Sequence, residues 1–177
     1  QLIAGIQDLP GKCQRAIDLN TNMEELAEKY HDNQTLFFIG RNLDYAVALE
    51  ASLKLKEISY IHAEGYPAAE MKHGPIALVD DQMPVVFLAT HHQLYQKIVS
   101  NMQEVIARNG KIFAVVTEGD ELVKNMVEDV VEVPQTLNCL APLLSVIPLQ
   151  MLAYHVAVAK GLDVDQPRNL AKSVTVE

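Results

Sequence analysis

Four short apolar runs divide the chain: TLFFIG at 35–40, PVVFLAT at 84–90, KIFAVVT at 111–117 and EDVVEVP at 128–134. Each is rich in β-branched or aromatic residues and short enough to be a strand. Their largely continuous rather than alternating hydrophobicity points to burial on both faces, the habit of parallel sheets. Between and around them the period lengthens. Residues 43–59 (LDYAVALEASLKLKEIS), 93–110 with Gly110 as a C-cap, a shorter stretch near 120–126, and 141–160 ending at Gly161 all carry helical spacing. Upstream, Pro10 suits the first turn of a helix, and TNMEEL supplies a capping box from Thr21 to Glu24 for a helix reaching about Tyr30. Strand and helix alternate, so the expected fold is α/β: a three-layer, doubly wound parallel sheet flanked by helices, flavodoxin-like, with residues 1–30 as a peripheral helical lead-in and 162–177 as an extended tail. No internal repeat or low-complexity segment interrupts this pattern.

The 177 residues suffice for one domain, and 49% hydrophobic with 21% charged residues is the balance of a soluble globular chain. A net charge of −9 repels phosphate backbones and argues against nucleic-acid binding. No uninterrupted apolar stretch is expected to span a bilayer, and the start lacks the basic-then-apolar order of a secretory signal. Cys13 and Cys139 lie far apart without a CxxC, so neither a disulfide framework nor a thiolate metal site is expected. A reducing, cytoplasmic location fits. The absence of an initiator methionine suggests a piece of a longer chain.

In open α/β sheets ligands sit beyond the carboxyl ends of the strands, which directs attention to GRNLDY, GYPAAEMKHGP, ATHHQ and TEGD. None carries a GxGxxG, GxxxxGK[ST] or GxSxG motif. His91 and His92 are adjacent and point apart, while His31 and His155 read as a surface and a packing residue, so neither a metal nor a cofactor is implied.

Two features carry more. On the helix at 43–59, Glu50, Lys54 and Glu57 fall at i, i+4 and i+7 and share a stripe, with Leu43, Val47 and Leu53 assigned to the core. The stripe is either a solvated face with a Glu-to-Lys pair or a general base, Glu57, beside an ammonium. Downstream, Gly65, Pro67, Gly74 and Pro75 bracket a short polar helix ending at His73, which either caps that helix or acts as an acid or base. The chain closes on DVDQPRNLAKSVTVE, where Val174 and Val176 alternate as in an extended strand, although most termini fray.

The block ALEASLKLKEISYIHAEGYPAAEMKHGPIALV, together with that closing run, resembles the carboxyl-terminal part of the glutamine--fructose-6-phosphate aminotransferase (isomerizing) family, the glucosamine-6-phosphate synthases. The resemblance extends from about Leu36 onward and implies a sugar isomerase (SIS) domain, the second of two in the isomerase half of such a transaminase. It assigns Lys172 to Schiff-base formation with the opened ketose and Glu57 to proton transfer between C1 and C2. It assigns His73 to ring opening in a neighbouring subunit's site, hence a homodimer, and Lys54 to a place near the reacting carbons. Arg168, Asn169 and Ala171 belong to the tail that lines and closes the site. The implied ligands are fructose 6-phosphate and glucosamine 6-phosphate. Two parts of such enzymes lie outside these 177 residues: a glutaminase domain, and a first SIS domain whose Ser/Thr-rich loop cradles phosphate. ATHHQ offers one hydroxyl, Thr90, against that loop, so the chain alone is expected to be nearly inactive. The competing readings are a non-catalytic sugar-phosphate-binding module and a dimerisation scaffold built on the apolar last helix.

Overall fold

The computed structural model describes residues 1–90 and 92–170. Five parallel strands form one sheet in the order β2-β1-β3-β4-β5. They are β1 (Thr35–Gly40), β2 (His62–Pro67), β3 (Val85–Ala89), β4 (Ile112–Thr117) and β5 (Asp129–Val133). The helices are α1 (Leu2–Asp18), α2 (Met23–Tyr30), α3 (Leu43–Ser59), α4 (Tyr95–Ile106), the single turn α5 (Glu121–Lys124) and α6 (Ala141–Ala159). Because parallel neighbours need crossovers, the helices cover both faces of the sheet. One face carries α1, α2, α3 and α6 over Leu36, Phe38, Val86, Leu88, Phe113 and Val115. The opposite face carries α4, α5 and the 3-10 turn at Ala68–His73 over Phe37, Ile39, Phe87, Ala114 and Val116. This is the three-layer α/β fold expected from the continuous apolar runs.

The differences from expectation have local causes. β2 reads as a loop in sequence because it is an edge strand lying close beneath α3: a Cβ on Gly65 would sit 3.0 Å from the Leu49 backbone, leaving no room for the bulky residues that advertise a strand. Pro10 lies inside α1 rather than in its first turn, since Leu9, Cys13 and Ala16 form an i, i+4, i+7 seam on the core that carries the helix past it. The capping box is not made; α2 begins after Asn22 without a side-chain cap. The turn before it is held instead by Asn20, whose amide donates to Ala16 O (2.6 Å) and Glu132 O (2.8 Å) and accepts from Glu132 N (3.0 Å), extending the β5 edge. α2 buries Met23, Leu26, Ala27 and Tyr30, a closer association with the core than a peripheral lead-in. Burial and the Asp129 carboxylate that accepts the Tyr30 hydroxyl together push that phenol well above its usual range. α4 stops at Ile106, and Gly110 is needed for space, since a Cβ there would meet Val105 and Val79 at 2.6 Å. Gly161, at φ +67, follows α6 as expected.

By length and composition, Asn138–Ala159 is long and apolar enough to cross a membrane, contrary to the expectation from sequence. Part of its apolar surface is engaged within the fold: Leu144, Leu149, Leu152, Ala153 and Val156 are buried against α1, α2 and α3, whereas Leu143, Tyr154 and Val158 are about half exposed.

Candidate active site

α3 begins at the carboxyl end of β1 and runs antiparallel to the strands, so its last turns arrive at their amino ends. Lys54 and Glu57 therefore stand at the edge opposite the loops that the general rule for open sheets singles out. Lys54 Nζ lies 2.5 Å from Glu57 Oε2 and 3.9 Å from Glu50 Oε1. The Glu57 side chain is 31% exposed and that of Lys54 35%, a half-buried pair rather than a solvated stripe. The hydrogen bond to Glu57 raises the ammonium above the ordinary lysine value, against an opposing contribution from burial. A carboxylate in the last helical turn faces the negative end of the backbone dipole, and Lys54 offsets that. Two of the leucines assigned to the core are half exposed instead: Leu43 (43%) and Leu53 (47%). Leu53, one turn before Glu57, lines a cavity on this face.

α6 also descends to the amino ends of the strands, and the chain beyond it turns back along α3. Asp163 accepts from the amides of Asp165 (2.9 Å) and Gln166 (3.2 Å), and Leu170 N donates to Pro167 O (3.4 Å). The segment thus reverses twice within a few residues. A cavity of about 760 Å³ is lined by Lys54, Glu57 and Ile58 from α3 and by Val164 to Pro167 and Leu170 from the tail. A second, of about 370 Å³, lies between Leu53, Lys56, Glu57 and Tyr60 on one side and Arg168, Asn169 and Leu170 on the other. Glu57 lines both. The structure thus brings together Lys54, Glu57, Arg168 and Asn169; Lys172 and Ala171 lie outside the described residues.

His73 is exposed at the end of its 3-10 turn, at the carboxyl end of β2. A six-residue strand separates that edge from the α3 C-terminus, roughly 20 Å at about 3.3 Å per residue. Within one chain, His73 and Glu57 are not brought together.

At the crevice between β1 and β3, where strand order reverses, polar side chains of the chain itself meet. Thr90 Oγ1 donates to Asp44 Oδ2 at 2.8 Å, both residues almost fully buried, and His92 Nε2 lies 3.3 Å from the same oxygen. Arg41 Nη2 donates to Asn101 Oδ1 at 2.9 Å beside them. The one hydroxyl of ATHHQ is therefore engaged by an internal carboxylate in the first turn of α3, and an anion already occupies that helix terminus.

Sequence reasoning missed Tyr60. It caps α3 in the left-handed region, at φ 60 and ψ 16, a conformation costing a non-glycine residue about 1 kcal/mol. Its hydroxyl accepts from Arg168 N (2.9 Å), and the Arg168 guanidinium carbon sits 4.1 Å above its ring. The available signal was a helix stop without glycine or asparagine at residue 60.

Residues 29–160 match the SIS domain family model. The chain is 54% identical over 176 residues to the glutamine--fructose-6-phosphate aminotransferase (isomerizing) of Bacteroides thetaiotaomicron, covering 99% of this chain and 29% of that protein. It is 54% identical over 177 residues to a protein of the same name from Thermus thermophilus, covering all of this chain and again 29% of the relative. The chain thus spans less than a third of the length of these curated relatives. Among solved structures, the C-terminal domain of glucosamine-fructose-6-phosphate aminotransferase from Francisella tularensis superposes with a TM-score of 0.84 at 44% identity, covering 90% of this chain and 45% of that one. With its five-stranded parallel sheet and the matched family model, the chain belongs to the SIS domain family.

Proposed function

We propose that the chain is the second SIS domain, residues 1–177, of an isomerizing glutamine--fructose-6-phosphate aminotransferase, and that it supplies the proton-transfer and imine-forming groups for glucosamine 6-phosphate synthesis. The observation that carries this reading is the Lys54–Glu57 pair at 2.5 Å, set between two cavities whose far walls are the segment leading to Lys172.

The chemistry balances on these groups. The Lys172 amine adds to the C2 ketone of open-chain fructose 6-phosphate, and water leaves as the imine forms. Ammonia then adds at C2 and the lysine amine departs, so the sugar becomes a C2 ketimine. Glu57 removes a proton from C1 to give the enamine, and a proton returns to C2. Loss of the O1 hydroxyl proton and protonation of nitrogen leave an aldehyde at C1 and an amine at C2, with no net redox change. Lys54, hydrogen-bonded to Glu57 at 2.5 Å, orients the carboxylate for that transfer. Arg168 and Asn169 line the wall, Ala171 follows in the closing run, and closure of the tail excludes water.

His73, exposed about one strand length from Glu57, acts on ring opening in the site of a second copy, which makes the working unit a homodimer. The phosphate cradle and the ammonia source belong to the preceding SIS and glutaminase domains. The engaged Thr90 supports that division, and the chain alone is nearly inactive on this reading. The unpaired thiols of Cys13 and Cys139 suit a cytoplasmic enzyme.

Glu57→Gln in the full-length natural protein tests the assignment. Amino-sugar formation should fall by about 10²-fold or more while the protein still binds fructose 6-phosphate. Turnover at the parent rate would refute it. Robust synthesis by the 177-residue chain with fructose 6-phosphate and ammonia would refute the division of labour.

A further inference from the structure

Tyr60 occupies a position that its side chain makes expensive. The left-handed C-cap of α3 is the place where glycine, or asparagine, ends a helix without steric cost. Helix termination therefore does not account for a tyrosine, and its side-chain contacts are the place to look for an offset. Those contacts are with the other end of the chain. The phenolic oxygen accepts the Arg168 amide at 2.9 Å, and the ring lies beneath the Arg168 guanidinium at 4.1 Å, two interactions bridging 108 residues of sequence. The residues around Arg168 form the 167–170 reversal, with Asn169 itself left-handed at φ 63 and Leu170 N bonded to Pro167 O. Arg168 is exposed, so few other contacts hold this turn. Tyr60 and Glu57 sit within one helical turn of each other and line the same cavity.

We infer that Tyr60 is a positioning residue: it clamps the 167–170 turn against the Glu57 face of α3 and so fixes the residues that immediately precede the closing run with Lys172. The inference rests on the function proposed above only for the role of Lys172. The clamp itself is a statement about Tyr60 and Arg168. A main-chain hydrogen bond and a stacked cation act on different parts of the tyrosine, so they separate by substitution. Phenylalanine keeps the ring under the guanidinium and loses the acceptor. Asparagine keeps the left-handed cap and loses both.

The experiment uses the full-length natural protein with Tyr60→Phe and Tyr60→Asn, reading kcat and KM for fructose 6-phosphate, the thermal midpoint, and the rate of tryptic cleavage after Arg168. Misplacement of a reacting group by about 1 Å costs up to about 10²-fold in rate. Tyr60→Asn should lower kcat by about 10-fold or more, change KM by less, leave the midpoint near the parent value and speed cleavage after Arg168. Tyr60→Phe should recover part of both the rate and the protection. If Tyr60→Asn keeps parental kcat and parental cleavage, Tyr60 is a helix terminator and the inference fails. Lys172→Ala, assayed beside them, separates the two claims. Normal synthesis in that variant overturns the imine role of Lys172, whereas the cleavage rates still decide the clamp. An effect on the midpoint alone, without a change in kcat or cleavage, also overturns it.

Discussion

Gly40 and Gly11 make a matched pair in which the same substitution to alanine should have opposite signs. Gly40 ends β1, where the chain passes directly into the first turn of α3. A Cβ built there lies 2.4 Å from both the carbonyl carbon and oxygen of Asp44 and 2.6 Å from Tyr45 N, all of them backbone atoms. Restoring ordinary contact near 3.5 Å requires α3 to withdraw by about 1 Å. The helix cannot do so freely, because Val47, Ala48, Ala51 and Leu55 are buried against the sheet and α6. Gly40→Ala should therefore cost at least the 1–3 kcal/mol typical of overpacking, roughly. The shift also disturbs the Thr90–Asp44 hydrogen bond. Gly11, by contrast, lies inside α1 with nothing within 4 Å of its built Cβ, so alanine should stabilise by about 0.5–1 kcal/mol through helix propensity. Urea unfolding of the 177-residue chain, followed by far-UV circular dichroism, reads both. Equal midpoints for Gly40→Ala and the parent would mean that α3 is not held as tightly as its burial implies, and would refute the overpacking cost.

Other substitutions probe the two polar clusters and the sheet's edge. Thr90→Val removes a hydroxyl donor from buried Asp44 and should destabilise by about 1–3 kcal/mol, whereas Thr90→Ser should lose much less; similar midpoints for the two would show that the bond contributes little. Lys54→Met should lower stability by at most about 1 kcal/mol at neutral pH, because both partners are about a third exposed. Since the folded-state lysine is raised above its ordinary value, that contribution is complete below the unfolded value and disappears as pH climbs through the folded one; the gap between parent and variant should stay flat up to about pH 10 and close above it. A gap closing near neutrality would contradict this. Gly65→Ala should push α3 from β2 and lower kcat of the full-length protein more than its stability, because the Leu49 backbone stands 3.0 Å from the new Cβ on the helix that carries Glu57; unchanged kcat would show that α3 absorbs the shift.

The parts of the fold legible in sequence were those with a continuous apolar run or a sustained helical period, the half-buried β5 among them. β1, β3 and β4 are apolar on both faces, and α3 was read to its last residue. β2 was not, because its proximity to α3 excludes large side chains and its sheet-edge position tolerates His62 and Glu64. Glu57 and Lys54 were marked by helical spacing, although spacing alone left a solvated face open, and only the folded tail shows what covers them. Tyr60 was missed because its partner lies 108 residues away and its strain is a backbone angle. Leu43 and Leu53 were misassigned since an apolar residue on a helix does not by itself say which of its surfaces meets the core.

The position of the pair follows from chain direction. A helix that returns antiparallel to its strand carries its first turn to the carboxyl edge and its last to the amino edge. In α3 the first turn bears Asp44, already bonded to Thr90 and approached by His92, while the last bears Glu57 between open cavities. At the β1–β3 switch point the domain's own Asp44 carboxylate is bonded to Thr90, and Glu57 lies at the other end of the same helix. A sugar phosphate held there meets the cations of Lys54, Lys56 and Arg168 along the two cavities, while the carboxylates of Glu50 and Glu57 repel its dianion. Charge reversal at Glu50 should accordingly lower the KM for fructose 6-phosphate in the full-length protein by several-fold, roughly, with kcat changed less. A KM unaffected by Glu50→Lys would place the phosphate elsewhere.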